Sequence, residues 1–116
     1  MVALYRGKEL NVVTIDAMEH WLVRVLGEYG IAGYTILPAR GFGSSGESDI
    51  TGMDTNIFLK AIVSEDVLER VLERINAKIA KGYHLTTYVN DVQVMRPEKF
   101  RLDPEKTRIN RLSTDD

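Results

Sequence analysis

The stretch Thr55-Asn-Ile-Phe-Leu-Lys-Ala-Ile-Val63, followed at once by Ser64 and by Val67, Leu68, Val71, Leu72, Ile75 and Ile79, decides the fold. A short run rich in β-branched and aromatic residues that gives way to a 3.6-residue apolar period is a strand feeding an amphipathic helix. Ser64 is a good N-cap, because its hydroxyl can accept a backbone N–H that the first helical turn leaves without a partner. The acids Glu65, Asp66, Glu69 and Glu73 come before the bases Arg70, Arg74, Lys78 and Lys81, the order that suits the helix dipole, and Gly82 ends the pattern. The strand is apolar on both faces except at Lys60, so both faces are at least partly covered. Lys60 either finds a partner for its charge or reaches solvent along its own stem.

Upstream, the same grammar repeats. Glu9-Leu-Asn-Val-Val-Thr-Ile15 reads as a strand, Asp16 with Glu19 approximates a capping box, and Met18, Trp21, Leu22, Val25, Leu26 and Tyr29 recur at helical spacing up to Gly30. Gly33-Tyr-Thr-Ile-Leu37 is a second strand, Pro38 to Asp54 a loop, and Tyr83 to Met95 a last β-prone segment closed by Arg96-Pro97. The order predicts an α+β protein, a ferredoxin-like β-α-β-β-α-β sandwich. Two helices cover one face of such a sheet, leaving the other to carry Phe58 or Leu59 according to register, and self-association is the economical way to cover it.

At 116 residues the chain is one domain. We expect residues 1–96 to form it, with a loop at about 40–54, and residues 97–116 to be a charged mobile tail, since no apolar period continues there. Fifteen basic against seventeen acidic residues give a net charge of −2, which argues against a nucleic-acid partner. Zero cysteines exclude disulfides, thiolate metal sites and a cysteine nucleophile. With no long apolar run, neither membrane insertion nor a signal peptide is expected, and the expected location is cytoplasmic.

Arg40-Gly-Phe-Gly-Ser-Ser-Gly-Glu-Ser48 is the most informative loop, because glycines let backbone N–H groups approach an anion while Arg and hydroxyls add donors. Gly41, Gly43 and Gly46 match the letters of a dinucleotide fingerprint, but no helix opens inside the motif and that reading fails. The two histidines, His20 and His84, lack metal-site spacing; His84, at the start of the last strand, could line a cleft. No nucleophile–base or paired-carboxylate arrangement emerges, so an enzyme is not expected.

Gly33-Tyr-Thr-Ile-Leu37, Arg40-Gly-Phe-Gly43 and the strand-helix-strand ending at Val94-Met95 resemble the PII signalling superfamily, over about residues 9 to 96. The resemblance implies a homotrimer with adenine nucleotide in the clefts between subunits and a mobile T-loop after the second strand. Residues 44–54 hold no Tyr, so uridylylation is not implied, and Ala80-Lys-Gly82 replaces the glycine-rich loop that wraps ATP. The short loop is closer to the PII-like branch linked to inorganic carbon and carboxysomes. That branch implies ADP or AMP as ligand, with ATP or cyclic AMP open, bicarbonate as a second ligand, and a bicarbonate transporter or carboxysome-related protein as partner. Carried over by position, Arg40, Gly41, Phe42, Gly43, Ser44 and Ser45 contact nucleotide or anion, Lys60 and Arg96 fall near basic phosphate contacts, and Tyr83, His84 and Leu85 fall where the last strand enters the cleft. The competing readings are a slow nucleotide phosphohydrolase and a metal-responsive ferredoxin-like module.

Overall fold

The computed structural model describes residues 2–31, 33–41 and 55–109. Strand β1 (Tyr5–Ile15) passes through a 3-10 turn into helix α1 (Glu19–Glu28), and β2 (Thr35–Ala39) and β3 (Asn56–Val63) follow. Helix α2 (Glu65–Ala80) and β4 (Thr86–Val94) complete the β-α-β-β-α-β order. The four strands form one antiparallel sheet in the order β2-β3-β1-β4, as the ferredoxin-like reading requires. No helix among the described residues is long and apolar enough to cross a membrane.

Register decides which residues of β3 meet the helices, because neighbours along a strand point to opposite faces. Ile57, Leu59, Ala61 and Val63 are buried. Leu59 stands opposite Val12 of β1 and Ile36 of β2, and packs in one core with Leu22, Val25 and Leu26 of α1 and Val71 and Ile75 of α2. Phe58 and Lys60 therefore lie on the open face, together with Leu37, Asn11, Val13 and Tyr88.

The Ser64 hydroxyl accepts the Val67 N–H at 3.3 Å, as expected of an N-cap. Asp16 behaves differently. The β1–β3 ladder continues through Ile15 opposite Asn56, the Asp16 N–H donates to the Thr55 carbonyl, and the Asp16 carboxylate accepts from the Thr55 hydroxyl instead of capping α1. A long-range pairing thus captures the group that local spacing had assigned to the helix.

Beyond Arg96 the chain is described as far as residue 109. A 3-10 turn (Pro97–Phe100) and a single helical turn, α3 (Pro104–Thr107), bring the chain back across the end of the sheet. Pro97 is buried and Leu102 is 4% exposed. A Cβ built on Gly7 would meet Ile62 Cγ2 at 3.2 Å and Leu102 Cδ1 at 3.4 Å, so Leu102 seats on the bare backbone of β1. The Ile109 N–H then donates to the Leu4 carbonyl at 2.9 Å, and Arg108 bridges Tyr5. Isolated apolar anchors without a period suffice here because β1 supplies the surface. Residues 110–116 lie outside the described residues.

Candidate functional site

The structure distributes the residues singled out in the sequence along the sheet rather than gathering them in one pocket. Arg40 and Gly41, both exposed, follow the last residue of β2, where Ala39 pairs with Asn56. Phe42, Gly43, Ser44 and Ser45 lie outside the described residues. β2 pairs only with β3, and Pro38 is tolerated in it because an edge strand has a side that needs no ladder donor.

Tyr83, His84 and Leu85 lie between α2 and β4, at the same end of the sheet but beside its opposite edge. Three inter-strand spacings, about 14 Å, separate β2 from β4. The Thr14 hydroxyl donates to the His84 carbonyl at 2.7 Å and leaves the imidazole exposed. Tyr83 is exposed with the Lys78 ammonium 4.5 Å from its ring centroid, so its face is already occupied by a cation. Leu85 is 5% exposed in the core, so its side chain is a packing element and only its backbone remains for a ligand.

Lys60 occupies the middle of the open face. Its ammonium lies 3.9 Å from Glu9 Oε2 and 5.2 Å from the Phe58 ring centroid. The Glu9 Oε1 atom accepts from Asn90 Nδ2 at 3.1 Å and from Asn11 Nδ2 at 3.3 Å. Phe58 and Tyr88 meet edge-on across β1 with centroids 6.3 Å apart, and Asn11, in register with Lys60 and Tyr88, is 1% exposed. Its Oδ1 is the one buried side-chain atom without a hydrogen-bond partner among the described residues. The Asn90 donor, with Asn11 and the Lys60 charge, holds the Glu9 carboxyl below its ordinary 4.5 against an opposing effect of burial. A carboxyl with a lowered native pKa contributes stability that is present above its unfolded value and lost as pH falls through the native value. Acidification from about pH 6 to about pH 3 should therefore cost the wild type more stability than a Glu9→Gln variant, as read by denaturant melts at both pH values. Parallel losses in the two proteins would show that this network contributes nothing.

At the opposite end of the β2–β3 ladder from Arg40 lies a cavity of about 220 Å³. Its walls are the α1–β2 connection (Tyr29, Gly30, Ile31 and Gly33), the end of β3 with Ser64 and Val67, and residues 98–101 of the C-terminal segment. Arg96 stands exposed just before that segment, its Nε 3.5 Å from Glu98 Oε2. Reading the sequence missed the cavity, because Gly33 and Ile62 look like ordinary strand residues and Arg101 stood in the supposed tail. A larger cavity, about 580 Å³, is lined by Arg6, Lys8 and Lys106 and also by Glu65, Asp66 and Asp91, with Lys8 and Asp91 paired at 2.6 Å. Charges of both signs share its wall, so it favours no single ligand charge. Among the described residues no group of three or more His, Asp or Glu is placed to hold a metal ion.

The site is thus an edge strand with Arg40 and Gly41 at one end and, at the other, a pocket where Ile31, Ile62, Val63 and Val67 stand beside Ser64, Glu98, Lys99 and Arg101. The five residues of β2 separate the two by about 17 Å. A lone anion cannot touch both ends, whereas a longer ligand can.

The model of the nitrogen regulatory protein P-II family matches residues 7–99 of the chain. No curated protein matches it. Among solved structures, a PII-like signalling protein from Thermus thermophilus is 38% identical, with a TM-score of 0.70 over 86% of this chain and 99% of its own. CPII, a nitrogen regulatory PII-like protein from Thiomonas intermedia K12 solved with ADP, AMP and bicarbonate, is 30% identical, with a TM-score of 0.75 over 84% of this chain and 95% of its own. The same protein bound to ADP and bicarbonate matches at 31% identity and a TM-score of 0.73, covering 84% of this chain and 97% of that one.

Proposed function

This chain belongs to the nitrogen regulatory protein P-II family, and from that membership we propose that it is a non-enzymatic signalling protein that binds ADP or AMP together with bicarbonate. The observation that carries the reading is the two-ended β2 edge, with Arg40 and Gly41 at one end and the 220 Å³ cavity at the other. The base would occupy the cavity and the phosphates would run toward Arg40, whose guanidinium fork also suits a planar anion such as bicarbonate. CPII, bound to ADP and bicarbonate, supports this pairing of ligands.

A homotrimer completes the site. Arg40 and His84 stand at opposite edges of one sheet and cannot share a small ligand within one chain, but the β2 edge of one copy set against the β4 edge of another brings them to one cleft. The exposed Leu37 and Tyr88 on the open face support association through that surface.

Signalling is a shift of population. Ligand binds one arrangement of the loop at about 40–54 more tightly, and the affinity of a cytoplasmic partner in carbon uptake or fixation, such as a bicarbonate transporter or a carboxysome-related protein, follows that arrangement. Calorimetric titration with AMP, ADP, ATP and cyclic AMP, each with and without bicarbonate, tests the reading. Binding of ADP or AMP with an affinity that bicarbonate changes is the expected result. Binding indifferent to bicarbonate removes the link to carbon, and no binding of any nucleotide removes the reading altogether.

A further inference from the structure

The cavity of about 580 Å³ stands apart from the β2 edge, between the start of β1, the far end of β4, the first turn of α2 and residues 102–107 of the C-terminal segment. A space of that size lies in the range of small-molecule sites. Its charges are sorted by element. The β1 wall contributes the cations Arg6 and Lys8, and the α2 wall the carboxylates Glu65 and Asp66. Asp91 is engaged by Lys8 at 2.6 Å, and the Asp103 carboxylate accepts the Glu105 and Lys106 N–H groups at 2.9 and 3.4 Å. Among the described residues Arg6, Glu65, Asp66 and Lys106 enter no salt bridge. The Asp91 hydrogen bond raises the Lys8 ammonium above its ordinary 10.5 against the effect of burial, and the Glu65 charge adds to it, so the acidic wall faces the basic one. Val92 and Leu102 approach the bare backbone of Gly7, where a Cβ would meet them at 3.7 and 3.4 Å, and Ser64, Gln93 and Thr107 complete the lining.

We propose that this cavity binds a free α-amino acid with an apolar side chain. Its carboxylate would face Arg6 and Lys106, its ammonium Glu65 and Asp66, and its side chain Val92 and Leu102. An anion is repelled by the α2 wall and a cation by the β1 wall, whereas a zwitterion is attracted by both. The guanidinium fork of Arg6 matches a carboxylate, and the two acids of α2 supply acceptors for an ammonium, which has donors only. This site does not rest on the nucleotide reading, since neither Arg40 nor the smaller cavity contributes a charge to it.

The test is calorimetric titration of the full chain with L-leucine, with isocaproate, which lacks the amino group, and with isoamylamine, which lacks the carboxylate. Leucine should bind, and each singly charged analogue should bind at least about tenfold more weakly. Arg6→Gln should weaken leucine and leave isoamylamine unmoved, and Glu65→Gln should weaken leucine and leave isocaproate unmoved. Both residues are exposed, so neither variant should shift the thermal midpoint of the unliganded protein. Absence of leucine binding overturns the proposal. Isocaproate binding as tightly as leucine would make this an anion site, isoamylamine doing so would make it a cation site, and either result overturns the zwitterion as ligand.

Discussion

Leu59→Ala is expected to destabilise the fold by about 3 kcal/mol, whereas Lys60→Ala, one residue away, should stay within about 1 kcal/mol. Leu59 has no exposed surface and sits at the centre of the core between both long helices, so removing its three outer carbons loses their transfer free energy and leaves a void that the sheet cannot close. Lys60 points to the other face, its side chain 42% exposed and its ammonium 3.9 Å from Glu9, which is the geometry of a weak ion pair. Urea melts at one protomer concentration would measure the contrast, because unfolding of an assembly depends on concentration. Equal losses at the two positions would mean that β3 is set in the wrong register. A domain with about 5–15 kcal/mol of total stability would lose a large share of it at Leu59.

Arg40→Ala should weaken ADP binding by about 10- to 100-fold and abolish the influence of bicarbonate on it, since one charge-assisted hydrogen-bonding group is lost from the anionic end. Arg40 is exposed at the end of an edge strand, so the thermal midpoint of the unliganded protein should not move. Arg40→Lys keeps the charge but loses the fork, and should recover nucleotide affinity better than bicarbonate coupling. Calorimetry on the three proteins gives both quantities. Undiminished bicarbonate coupling in Arg40→Ala would move the anion to another group.

What could be read in advance divides by range along the chain. Ser64, the stripe from Val67 to Ile75, and the glycines at 30 and 82 act within a few residues of themselves, and their helix and its ends were legible. Asp16 was misread because its partner, Thr55, is distant in sequence and competes with the cap. The first strand begins at Tyr5 rather than Glu9, since β4 and the returning C-terminal segment pair with a stretch too polar to announce itself. Lys60 could be flagged as an anomaly, but whether it met Glu9 or solvent waited on register. Arg40, His84 and Arg96 are separated within one chain by the width or length of the sheet, a separation no linear motif encodes.

Pro38 bears on what the sheet can join. Among the described residues the sheet has two outer strands, β2 and β4, and an outer strand can offer a row of backbone donors and acceptors on which another chain can grow. The margin along β2 is broken by a residue that has no N–H, within a strand of only five residues, while β4 is nine residues long. Linear polymerisation, margin to margin, needs both to be competent, and one of them is not. The backbone of β2 therefore gives copies of this chain poor means to zip into an endless fibre.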